Sequence, residues 1–142
     1  MQTYSVELIF GGDTFEENDI SGRLGIRSTT FVKKGETKSP KRKWERTTWS
    51  FEVVPSPDDR YWKSLEEGLT HLLDRLDSVK SVIDEMKQSY HVFICCGQFA
   101  SGFGGGPSFS PALLKRLANL GLELSISTYW SRESETGNAS NE

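Results

Sequence analysis

Tyr4, Val6, Leu8 and Phe10 occupy every second position, with Ser5, Glu7 and Ile9 between them, the period-two pattern of a strand with at least one buried face. Gly11-Gly12 reads as its end. Thr14 with Glu17 three residues on has the spacing of a capping box, which predicts a short helix from Phe15 to Leu24 stopped by Gly25 in a left-handed conformation. Arg27 to Lys34 and Lys43 to Val54 are β-rich arms on either side of Gly35-Glu36-Thr37-Lys38-Ser39-Pro40, and together they predict a hairpin with a basic loop. In its second arm Trp49, Phe51 and Val53 share one face, which puts the tryptophan in the core. Pro55-Ser56-Pro57-Asp58 then breaks the strand, and Ser56 or Asp58 can cap the next helix.

Trp62, Leu65, Leu69, Leu72, Leu73 and Leu76 recur at three- and four-residue steps, opposite Lys63, Glu66, Glu67, Asp74 and Arg75. This is an amphipathic helix. The pattern continues through Val79, Val82, Ile83 and Met86, with Asp77-Ser78 as the cap of a second helix after a bend. His91 to Cys96 is a dense apolar run suited to a central strand buried on both faces. Gly97 to Ser108, with five glycines and a proline, reads as loop. Ser110-Pro111 opens a helix that Gly121 closes, and Leu122, Leu124, Ile126 and Thr128 alternate in a last strand. The order β-α-β-β-α(α)-β-α-β argues for an α+β fold, a single mainly antiparallel sheet with helices packed on one side. One domain covers residues 1–130, and 131–142, lacking any apolar anchor, reads as a disordered polar tail.

Composition sharpens this in one respect. The 142-residue chain has 17 Lys and Arg against 20 Asp and Glu, a formal charge of −3. Arg27 to Arg46 alone holds eight of those cations against Glu36 and Glu45, a local +6 that leaves −9 on the rest. A clustered field of that kind is a statement about partners, because it attracts phosphates or an acidic protein surface. The longest apolar runs fall far short of a membrane span. The opening MQTYSVELIF lacks a secretory pattern and reads as a strand. The two cysteines, Cys95 and Cys96, are adjacent and poorly placed to pair, and free thiols fit a reducing compartment. The expected location is the cytoplasm.

Chemistry is harder to find. Gly102, Gly104, Gly105 and Gly106, ahead of a helix start at Ser110, invite a phosphate-binding reading, but neither the P-loop ending nor the dinucleotide spacing is present. A flexible connection, or a mobile lid over a partner surface, is the better reading. His91 and Cys95 share a strand face about 13 Å apart, too far for a nucleophile and its base, and two adjacent thiols make no zinc site. Both cysteines are expected to be buried, and His71 to be solvated or capping. Glu16-Glu17-Asp19, Asp58-Asp59 and Glu66-Glu67 suit first turns and exposed helix faces. No catalytic residue, metal ligand or cofactor site is assigned.

Leu24-Gly25-Ile26, Lys34-Gly35-Glu36, the Trp49 strand, the Leu65 to Leu76 helix and Phe109-Ser110-Pro111-Ala112-Leu113-Leu114 leading through Leu120-Gly121 to Tyr129 resemble the uncharacterised bacterial family catalogued as domain of unknown function 4279. The resemblance spans nearly all of the chain except the tail. Its residues are packing, capping and turn positions, so it implies a shared fold and carries no catalytic residue. Similar small bacterial proteins often serve as binding or immunity modules, an analogy of class. The leading expectation is a non-enzymatic, immunity-like binding module. It would engage an acidic protein through Lys33, Lys34, Lys41, Arg42 and Lys43, with Trp44 supplying contact area and the glycine loop as a second candidate surface. The alternatives are a nucleic-acid-binding protein whose 27–46 arm tracks phosphates, and a small enzyme built on strand carboxylates such as Glu7 and Glu52.

Overall fold

Strand β1 (Gln2–Gly12) lies at the centre of a five-stranded sheet, antiparallel to β5 (Thr47–Val53) on one side and to β6 (His91–Ala100) on the other. The computed structural model describes residues 2–130. Beyond β5 lies the short edge strand β2 (Thr30–Val32), and beyond β6 lies β7 (Glu123–Trp130), so the order is β2-β5-β1-β6-β7. β3 (Thr37–Ser39) and β4 (Arg42–Lys43) pair only with each other, as a ribbon between β2 and β5. All pairings are antiparallel except β6 with β7, whose connection is the crossover helix α4 (Pro111–Leu120), as parallel neighbours require. The remaining helices are α1 (Glu17–Leu24), α2 (Leu65–Leu76) and α3 (Lys80–Met86), the last two joined by a 3-10 turn over Asp77–Val79. The expected α+β class, with one mainly antiparallel sheet and helices on one side, is what forms.

The helix-covered face of the sheet carries Tyr4, Val6, Leu8, Phe10, Trp49, Val92, Ile94 and Cys96, all buried. Leu65, Leu69, Leu72, Leu73 and Leu76 of α2 meet them at 3% exposure or less, each contributing about 2 kcal/mol relative to exposure. Ser64 caps α2 by accepting from the Glu67 amide at 3.2 Å, and Ser110 caps α4 by accepting from Leu113 at 3.2 Å. Gly25 and Gly121 end α1 and α4 at φ 67° and 70°, in the left-handed region glycine enters without a Cβ clash.

Several local expectations give way to tertiary contacts. Gly11 and Gly12 continue β1, opposite Thr48 and Thr47. Helix α1 starts two residues later than its apolar pattern suggests, with Glu16 rather than Thr14 at the cap and the Glu16 amide donating to Asp19 at 2.8 Å. Phe15 precedes the helix and is still buried. Neither Ser56 nor Asp58 caps α2, and α3 has no side-chain cap at Asp77-Ser78. Trp62 is not on the helix at all. Its backbone pairs with Tyr4, each amide donating to the other carbonyl at 2.8 Å, and its indole N–H donates to the Val53 carbonyl at 2.9 Å. It thus lines β1 where Pro55 has stopped β5. β6 runs through Gly97 to Ala100 instead of ending at Cys96, and it is buried on one face only, so Cys96 is inside while Cys95 is half-exposed. The tail assigned to 131–142 lies outside the described residues.

Candidate functional site

The two arms of the basic hairpin pair, with Thr30, Phe31 and Val32 opposite Ser50, Trp49 and Thr48, but the stretch expected to turn, Gly35 to Pro40, contains strand β3 because Thr37 and Ser39 find partners in Lys43 and Arg42. Trp49 is core, fully buried, its indole donating to Ser21 Oγ at 2.9 Å. Past the sheet edge the chain tightens into the β3–β4 ribbon. Gly35 donates to the Trp44 carbonyl and Trp44 to the Glu36 carbonyl, both at 2.9 Å. Thr47 Oγ1 anchors the base, accepting from the Lys34 amide at 3.1 Å and donating to the Asp13 carbonyl at 2.9 Å.

Arg27 lines a separate hollow beside α1, and the other seven cations of this arm divide into three sets. Lys33 pairs with Glu16 at 3.0 Å and Lys34 with Asp13 at 2.5 Å. Lys34 holds the Asp13 carboxyl below the usual carboxylate range, and both pairs are exposed, so solvent screens them. Lys38 lies over the Trp44 ring, 4.7 Å from its centroid, and Arg46 reaches His91 Nδ1 at 3.4 Å. Lys41, Arg42 and Lys43 are exposed and, among the described residues, make no ion pair. Arg42 and Lys43 line a cleft of about 270 Å³ together with Lys38, Trp44, Glu45, Arg46 and Thr48. The half-buried Trp44 ring forms part of it.

The glycine-rich loop does not join this surface. β6 enters beside Gly11, at the ribbon end, and leaves beside Gln2, so Gly102, Gly104, Gly105 and Gly106 follow a strand that carries them about 30 Å away. They are exposed, and added Cβ atoms at Gly105 and Gly106 would meet nothing within 4 Å. The helix start beyond them is already occupied, since the Ser110 amide donates to the Glu66 carboxylate. The chain supplies its own anion there.

The sheet face opposite the helices brings together residues whose meeting no local pattern shows. Glu7 stands opposite Glu52 on β5 and Cys95 on β6, and Ser5 stands opposite Gly97. The chain after β5 folds back so that Arg60 donates to both Glu52 oxygens, Nε at 2.8 Å and Nη2 at 3.2 Å. Beneath that guanidinium the Glu52 side chain is only 7% exposed. Ser5, Glu7, Arg60, Tyr61, Cys95, Cys96, Gly97, Phe99 and Tyr129 line a cavity of about 280 Å³. Phe99 meets Tyr61 edge-on at 5.1 Å and stacks on Tyr129 at 5.3 Å. A Cβ on Gly97 would come within 3.0 Å of the Phe99 ring, so glycine is what lets that ring lie across the floor.

Burial, and secondarily Glu52, push the Glu7 carboxyl above its ordinary range, against smaller opposing effects of Arg60 and the Ser50 hydroxyl. Burial, then Glu7, raises the Cys95 thiol, and burial chiefly pushes Cys96 up to about 12. These are poor nucleophiles. Two facing carboxylates suit acid–base chemistry when both are available, but Arg60 holds Glu52 and leaves Glu7 as the one carboxylate facing the cavity. Sequence reasoning noticed Glu7 and Glu52 and missed Arg60, Tyr61, Phe99 and Tyr129. The odd-numbered alternation of β1 and β6 was the available signal for the face, and nothing local marked the return of Arg60.

Among the described residues no helix is long and apolar enough to cross a membrane, and no group of three or more His, Cys, Asp or Glu is placed to hold a metal ion. The family described as Domain of unknown function (DUF4279) matches residues 2–131, and the chain belongs to that family. No curated protein and no solved structure matches it.

Proposed function

We propose that this DUF4279 protein is a non-enzymatic binding module that engages a more acidic protein through the β3–β4 ribbon, in the manner of an immunity protein that occludes its target. The observation that carries the reading is that Lys41, Arg42 and Lys43 make no ion pair among the described residues, on a ribbon that pairs with no other strand, beside a cleft walled by Trp44. Cations already matched to carboxylates, such as Lys33 and Lys34, gain little from a partner; unmatched ones steer association and discriminate by charge. A half-buried tryptophan beside them supplies contact area at small entropic cost. Nucleic acid fits less well, because Lys38 already covers Trp44 and the chain is acidic overall. Two free thiols fit a reducing compartment, and we place the protein in the cytoplasm.

The test is capture from lysate, with and without nuclease, using wild type and a K41E/R42E/K43E variant as baits. A protein retained by wild type after nuclease and lost with the reversal supports the reading, provided both baits have the same Tm. Equal capture by the two baits refutes it, as does recovery of nucleic acid alone.

A further inference from the structure

We propose that the cavity on the helix-free face of the sheet is a binding site for an organic ammonium group. It lies at the Gln2 end of β1, away from the ribbon, and does not depend on the partner reading.

The cavity holds one carboxylate more than it holds matched cations. Arg60 is committed to Glu52 by two hydrogen bonds, at 2.8 and 3.2 Å, which leaves Glu7 facing the cavity within the field of Arg60 but, among the described residues, in no ion pair. An anion entering here would meet Glu7. A cation would meet it as a charge-assisted partner, the stronger class of hydrogen bond. The walls are aromatic: Tyr61, Phe99 and Tyr129 line the opening, with Arg60 5.7 Å over the Tyr61 ring and Phe99 stacked on Tyr129, and the aromatic surface left open attracts ammonium groups through its quadrupole. Inorganic cations are poorly served, since no cluster of three metal-binding side chains forms among the described residues. At about 280 Å³ the cavity is at the small end of ligand sites, and fits a short alkylammonium or one lysine head group.

Glu7 must be ionised to act, and its carboxyl lies above the ordinary range. The groups facing it are Glu52 and Arg60 from β5 and the returning chain, Cys95 from β6, and Tyr61 and Tyr129 at the walls. Glu7 is raised by burial and by Glu52, and the Cys95 thiol is raised as well. Affinity for an ammonium should therefore rise with pH across the Glu7 titration.

The experiment is an NMR titration of the whole chain with n-butylammonium, n-butanol, butyrate and a short lysine-containing peptide, following the amides of Glu7, Cys95, Gly97 and Phe99. n-Butylammonium should give saturable shifts at these amides, with butanol and butyrate at least about tenfold weaker. Glu7→Gln should weaken binding about tenfold or more, and Phe99→Leu, which keeps the apolar bulk, about threefold. Tyr129→Ala, on the exposed edge strand, serves as the wall variant if either of those fails to fold. Saturable binding of the peptide at the same amides, tighter than n-butylammonium, would assign the ammonium to a partner's lysine; weaker binding would assign it to a free amine. The absence of saturable shifts with both ammonium probes, or equal binding of butanol, would overturn the proposal.

Discussion

Replacing Gly68 by alanine sets two effects of known size against each other. Gly68 is buried inside α2, where alanine ordinarily gains about 1 kcal/mol by helix propensity. Its Cβ, however, would lie 2.9 Å from Val6 Cγ2 and 2.9 Å from Trp62 Cδ1, against an optimum of about 3.5–4.0 Å for carbon atoms. Neither neighbour can yield easily. Val6 is fully buried in the central strand. Trp62 is pinned by its reciprocal amide bonds to Tyr4 and by its indole bond to the Val53 carbonyl. Overpacking of this kind costs about 1–3 kcal/mol, and two locked contacts argue for the upper half of that range, so a net loss of about 1–2 kcal/mol is expected. In a domain of this size that lowers Tm by about 3–8 °C. Urea unfolding followed by tryptophan fluorescence reads it directly. Gly22→Ala in α1 is the matched control: there the three atoms nearest the Cβ would all belong to the Asn18 side chain, from 3.2 Å, and a gain of about 0.5–1 kcal/mol is expected. If Gly68→Ala were as stabilising as Gly22→Ala, α2 would be free to lift from β1 and the account of this core would be refuted.

The remaining expectations concern the open face. Because burial and Glu52 raise the folded-state pKa of Glu7 above 4.5, the folded chain holds that proton more tightly than the unfolded one, so this group's contribution to stability declines as pH rises from 4.5 through the folded value. Tm measured from pH 4 to pH 8 should show Glu7→Gln gaining on wild type across that window and at least matching it at pH 7; a variant clearly less stable at pH 7 would contradict the assignment. Iodoacetamide at pH 8 should modify Cys95 more slowly than a free thiol, and Cys96, pushed up to about 12 and fully buried, only after unfolding. Intact mass should show at most one adduct on the native chain and two in urea, and native modification of Cys96 at the rate of Cys95 would show that β6 opens there. Charge reversal of the ribbon and the ammonium titration complete the set.

The sequence alone determined the elements whose signals are local. The leucines of α2 repeat at helical steps, Ser110-Pro111 and Gly121 bracket α4, and the alternation of β1 needs no distant partner to be read. The charge of the ribbon is equally local, and so were Lys41, Arg42 and Lys43. What the tertiary structure decided was pairing. Gly11 and Gly12 stay in β1 because Thr48 and Thr47 lie opposite, Trp62 leaves its helical register because Tyr4 offers two backbone bonds, and Gly97 to Ala100 remain strand because β1 and β7 pair on either side. Lys33 and Lys34 found carboxylates before α1, which separates them from Lys41, Arg42 and Lys43. The cavity is the extreme case. Its walls come from β1, β6, β7 and the segment after β5, and strand register alone sets Glu7 beside Glu52 and Cys95. A period-two pattern tells which residues share a face, but the neighbours across the sheet are fixed only once every strand has taken its place.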